Sequence, residues 1–162
     1  MKPNSLPPYL YGAARAMVHL RGQYLQECYE VWQQAKAHNI TLPESDHPGY
    51  ESLNHLLRHA FSADRYYIKW MCEQIELLDP KIDSVPPPEE IEAQAAAYLT
   101  HLNDRWATPL ADVDEERFNR PEYLASWGVR YCIDAMLEHA VMHPILHRVQ
   151  LEELLVEQEK ID

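Results

Sequence analysis

The chain has 162 residues, 46% of them apolar, which is a one-domain length with enough material for a buried core and too much for a disordered polymer. Its 14 Lys and Arg against 26 Asp and Glu leave a formal net charge of -12, which opposes attraction to phosphate backbones and anionic lipid and so argues against nucleic acid and membrane surfaces as partners. No run approaches the roughly 18 uncharged residues of a membrane span. The opening MKPNSLPPYLYG has no apolar core of signal-peptide length, and Cys28, Cys72 and Cys132 are an odd, widely spaced set that suits free thiols. A single cytoplasmic domain covering 1–162 is the expectation.

With 4 glycines and 12 prolines gathered at a few places, the punctuation divides the chain into four long helices. The first is expected over about 11–37, where Ala14, Met17, Val18, Leu25, Cys28, Val31, Trp32 and Ala35 recur at threes and fours, with an end toward Asn39. A loop with Pro43, Pro48 and Gly49 leads to a second helix over about 50–78, with Leu53, Leu56, Leu57, Ala60, Tyr67, Met71 and Leu78 on its core stripe and Pro80 as its stop. SVPPPEE opens a third helix over about 88–107, since proline suits a first turn and the dipole favours Glu89 and Glu90 there. After a charged loop over 108–120, Pro121 is expected to open a last helix running toward residue 159. No period-two alternation suggests a strand, so the fold class is all-α, a four-helix bundle.

The last helix holds EHAVMHPILHRVQ, with His139, His143 and His147 spaced by four. Each step of four turns about 40° around a helix, so the three imidazoles share one strip, together with or beside Gly128, Cys132, Met136, Leu146 and Leu154. Two imidazoles at i and i+4 can hold one ion, and neutral imidazole suits zinc, nickel, copper and iron. A third ligand has to come from another helix. The second helix offers His55 and His59, and His59 is favoured because it continues a stripe with Ala63, Tyr66 and Trp70. The competing reading is that these are hydrogen-bonded core histidines in a chain that has 9 of them.

The stretch LLRHAFSADRYYIKW, with His59 followed by Ala63, Asp64, Arg65 and Tyr67, and EHAVMHPILHRVQLEELL near the end resemble the DinB-like (YfiT-like) family of bacterial metal-binding four-helix bundles. This is the damage-inducible family, not the DNA polymerase that shares the name. The resemblance spans nearly the whole chain in helix order, but its specific part is those two motifs. It implies one divalent metal (zinc, nickel or iron) on His59, His143 and His147, with water or substrate completing the coordination. His139 matches a histidine that is usually not a ligand. Val149 departs from the family, where many members have glycine. Pro144 departs more sharply, because proline removes the bond to the Ala140 carbonyl and disfavours helical geometry at His143. The expectation is a kink or bulge that re-aims His143, the alternative a helix broken at Met142.

Other residues carry weaker signals. Gln150 is placed to hydrogen-bond a ligand imidazole. Glu138 points about 100° from His139 and is not favoured as a base. Cys132 reads as a small core residue rather than a ligand, and Tyr66 and Trp70 read as core or as pocket wall. Di-iron bundles use Glu-x-x-His on helices, whereas here Glu44 to His47 falls in a proline-flanked loop. No GxSxG, P-loop, GxGxxG or HExxH motif occurs. A three-histidine site leaves an open position, and the family's use of low-molecular-weight thiols implies a thiol S-transferase acting on a small electrophile in detoxification or stress response. Metal-dependent hydrolysis and a non-catalytic, metal-tied bundle are the alternatives. A fourth protein ligand such as His139 or His55 would favour the last of these. The resemblance also implies a homodimer.

Overall fold

In the computed structural model the structure describes residues 6–160, so residues 1–5 of the segment read as lacking a signal peptide lie outside it. Four long helices, α1 (Gly12–Ala37), α2 (Leu53–Gln74), α3 (Ile91–Trp106) and α5 (Ile133–Glu159), account for most of the chain. Between α3 and α5 lie the four-residue α4 (Glu116–Asn119) and a hairpin of two short strands, β1 (Tyr123–Leu124) and β2 (Arg130–Tyr131). The protein is mostly helical, as its periodicity indicates. α1 packs on α5, α2 and α3, and α2 packs on α5 and α3, around one apolar cluster that includes Leu25, Trp32, Leu57, Phe61, Leu102, Trp106 and Met136. Among the described residues, no helix is long and apolar enough to cross a membrane.

Helix ends follow from local chemistry. α1 and α2 both close in Schellman geometry, in which the residue past the cap turns left-handed and frees the last carbonyls to accept from beyond it. In α1 Asn39 has φ 53° and the Ile40 amide donates to Ala35 at 3.0 Å. In α2 Glu76 has φ 56° and the Leu77 amide donates to Cys72 at 2.8 Å, while Arg117 donates to the Ile75 carbonyl at 2.6 Å. α2 therefore ends at Gln74 and not at residue 78. Leu78, expected in the core stripe, is 91% exposed. The start of α2 is also later than expected, because the Ser52 hydroxyl accepts the His55 amide as N-cap and a 3-10 turn (Pro48–Tyr50) precedes it.

The larger correction concerns 121–132. Pro121, joined to Arg120 by a cis peptide, does not open the last helix; the chain forms the β1–β2 hairpin instead, and α5 begins at Ile133. Gly128 sits at φ +86° in the hairpin turn, a conformation that favours glycine. Two aromatic side chains of α2 fasten the hairpin: Trp70 donates to the Leu124 carbonyl at 3.2 Å, and the Tyr66 hydroxyl accepts the Ser126 amide at 3.0 Å. Gly128 and Cys132 consequently leave the histidine strip, Cys132 becoming the residue before α5. α5 is helical without interruption from Ile133 to Glu159 with Pro144 inside it and buried, so neither the bulge nor the alternative break at Met142 occurs.

One polar cluster lies within the core. Arg21 of α1, 2% exposed, donates to Asp64 of α2 at 2.9 Å and to Asn103 of α3 at 2.6 Å, and its guanidinium lies 4.6 Å from the Trp106 ring centroid. This arrangement ties three helices together and sets their relative register. Cys28 and Cys72 are buried free thiols, and burial pushes each up to about 12.

Candidate metal centre

His59 lies less than two turns into α2, and His143 and His147 lie midway along α5, so the packing of α2 on α5 is what brings them together. The His143 Nε2 is 3.2 Å from His59 Nε2 and 3.3 Å from His147 Nε2, and one nitrogen from each ring lies within 4.8 Å of the other two. Nitrogens at about 2.0–2.1 Å from a tetrahedral zinc stand roughly 3.3–3.4 Å apart, so two of the three separations match a coordinated set.

Hydrogen-bond accounting supports the same fit. Gln150 Oε1 lies 3.1 Å from His147 Nδ1, and an amide oxygen only accepts, so Nδ1 carries the hydrogen and Nε2 presents a lone pair inward. A neutral imidazole has a single N–H, so a hydrogen on His143 Nε2 serves one neighbour fully and leaves a lone pair facing the other. A divalent cation among the three nitrogens satisfies all of them. The Gln150 contact also orients the His147 ring, the role such outer partners play at metal sites.

All three rings are held in the ligand form. Burial, with the nearby His147 and His47, lowers His59 to about 4, and burial with the neighbouring imidazoles lowers His143 to about 2. Burial also lowers His147, with the Gln150 bond opposing it. The three are therefore neutral at pH 7.

The other sequence candidates lie elsewhere. His55 turns outward, its Nδ1 2.9 Å from the Ser52 hydroxyl and its Nε2 3.2 Å from Glu51. His139 is walled by Trp127, Tyr131 and Tyr67, with ring centroids at 5.6, 5.7 and 5.2 Å, and its ring centroid is 6.4 Å from that of His143. Neither supplies a fourth ligand among the described residues. Tyr66 and Trp70 hold the hairpin, and it is Tyr67, 5.8 Å from the His143 ring, that faces the centre. Glu138 is exposed.

The turn before α2 contributes His47 and Gly49 of the expected loop and Tyr50, expected as the first residue of the second helix. The His47 ring meets His59 edge-on at 5.1 Å, and its Nδ1 accepts the Gly49 amide at 3.0 Å. The Tyr50 hydroxyl donates to Gln150 Oε1 at 3.3 Å and lies 3.5 Å from His147 Nδ1. A Cβ on Gly49 would stand 3.0 Å from His47 Cε1, His47 Nδ1 and His59 Cγ, so glycine lets the backbone pass against both rings. The available signal was the HPGY sequence directly upstream of the Ser52 cap, which folds the turn back along the first turns of α2. No protein-family model, curated protein or solved structure matches the chain.

Proposed function

We propose that the protein is a divalent-metal-dependent enzyme built on a DinB-like four-helix bundle, using His59, His143 and His147 as ligands and acting as a thiol S-transferase on a small electrophile. The observation that carries this reading is the convergence of three neutral imidazoles from two helices on one point, with nitrogen separations of 3.2 and 3.3 Å. His55 and His139 are engaged elsewhere, so the geometry favours an open coordination position over a closed structural site. The chemistry supplied there is Lewis acidity, which lowers the pKa of an incoming thiol or water. The chain's own residues prepare the position. Gln150 and Tyr50 orient His147, Gly49 and His47 pack on His59, and Tyr67 with the Trp127 hairpin covers the side toward His139.

Elemental mass spectrometry of the purified protein and of a His59→Ala, His143→Ala, His147→Ala variant tests the reading. About one ion per chain, absent from the variant, is the expected result, followed by metal-dependent turnover in a screen of low-molecular-weight thiols with electrophiles. A protein that takes up no zinc, nickel or iron when offered them refutes it.

A further inference from the structure

Among the described residues, α1, α2 and α3 present no large hydrophobic side chain to solvent, whereas α5 presents four: Met142, Leu146, Val149 and Val156, exposed by 45, 56, 38 and 49%. The outer face of α1 shows the ordinary pattern, with Gln23, Gln26, Glu30 and Gln33 exposed. α5 buries Ala140, Pro144 and Leu151 on its core side, so it is apolar on two opposite sides, the pattern of a helix covered on both. The exposed four form one stripe, because the steps through 142, 146, 149, 153 and 156 are 4, 3, 4 and 3, the spacing of a helix-to-helix seam. Exposed Glu138 bounds the stripe one turn before Met142, and exposed Lys160 bounds it one turn after Val156. The histidines of the metal centre lie on another strip, His143 being about 100° from Met142 around the helix.

The opposite charges at the two ends of the stripe select what covers it. We propose that two copies of the chain pair their α5 helices antiparallel through this face, about a two-fold axis at Val149. Residues equally far on either side of the axis then stand level: eleven away, Glu138 meets the partner's Lys160, and seven away, Met142 meets the partner's Val156. Symmetry makes each of these contacts twice. Parallel pairing would instead set Glu138, Glu153 and Lys160 each against its own like charge. Glu153 is the one charge inside the stripe, and in the antiparallel pair its two copies are about 12 Å apart along the axis, beyond the ~8 Å screening length at physiological salt. A membrane surface does not suit the same face, which carries two glutamates and one lysine on a chain of net charge -12. About 33 Å long and about 10 Å wide, the face offers each subunit a projected area of roughly 330 Å², well under the ~800 Å² per partner of a standard interface. The dimer is therefore weak and reversible, with a dissociation constant on the order of 10–100 μM.

The test is equilibrium sedimentation of the full, chelator-treated chain over loading concentrations from about 1 to 500 μM, a range that brackets the expected constant. Working without metal keeps its outcome separate from that of the thiol-transferase reading. The average mass is expected to rise from one chain toward two. Val149→Glu sets two like charges against each other on the axis and is expected to raise the dissociation constant about tenfold or more, with the thermal melt unchanged because the position is exposed. Glu138→Lys and Lys160→Glu are each expected to raise it about threefold or more, and the double reversal to restore it, since the exchanged charges face each other again. The proposal is overturned if the chain stays monomeric throughout, if Val149→Glu dimerises as the parent does, or if the single reversals have no effect or the double one does not restore pairing.

Discussion

Gly49→Ala tests whether the turn before α2 positions a metal ligand. Gly49 has a backbone that alanine can adopt, so the effect is purely steric. The added Cβ would lie 3.0 Å from His47 Cε1, His47 Nδ1 and His59 Cγ, where ordinary contact begins at 3.4 Å. His47 is exposed and can swing away, but the His59 Cγ is fixed by α2. Either the His59 ring tilts, carrying its Nε2 with it, or the turn retreats and takes the Tyr50 hydroxyl away from His147 and Gln150. Metal sites tolerate about 0.2 Å in ligand distance, and disturbing outer contacts typically costs 10–100-fold in affinity, or about 1.4–2.7 kcal/mol. Competition for zinc against a chromophoric chelator, with circular dichroism to confirm the helices, should show a dissociation constant raised by that factor. A folded Gly49→Ala protein binding zinc within about twofold of the parent would refute the steric argument.

Gln150→Leu removes the acceptor that fixes the His147 tautomer and should weaken zinc about 10–100-fold in the same assay, with little change in the metal-free melt. Asp64→Asn leaves the Arg21 guanidinium, 2% exposed, without its counter-charge; a loss of about 3–5 kcal/mol is expected, or roughly 6–20 °C in melting temperature. An unchanged melt would mean that water reaches Arg21. Acid should destabilise the metal-free protein through the triad. Unfolded histidine takes up a proton near 6.5 whereas folded His59 does so near 4, so the unfolded chain binds more protons in that window and stability falls as pH drops through it. Urea midpoints at pH 7.5, 6 and 5 should decline, and the decline should be shallower in the triple histidine-to-alanine variant. An equal slope in both proteins would contradict the assignment.

The helical class was legible because it rests on local periodicity, which also put His139, His143 and His147 on one strip and favoured His59, while the choice of His143 and His147 from that strip came from the family resemblance. Ala14, Val18, Leu25, Cys28 and Trp32 repeat at helical spacing and are buried where that spacing puts them. His143 and His147 are four apart on one helix, so their proximity is a property of α5 alone. Proline punctuation is the weaker guide. Pro80 suits a stop for α2, but Glu76 in the left-handed region ends the helix first, and an αL glutamate has no distinctive sequence signal. Pro121 suits a helix start, but 121–132 is held as a hairpin by Trp70 and Tyr66 of a different helix.

By itself, then, the sequence determined where apolar and imidazole side chains recur along each helix, because that depends only on 3.6-residue geometry. Tertiary structure alone decided that His59, favoured by its stripe, meets His143 across the α2–α5 contact while His55 bonds Ser52 and Glu51, since only packing sets which element each ring meets. It also decided that Arg21 and Asp64, 43 residues apart, meet in the core, and that the HPGY turn lies against His59 and His147. Such long-range meetings come from burying shared surface between elements, which no short window of residues encodes.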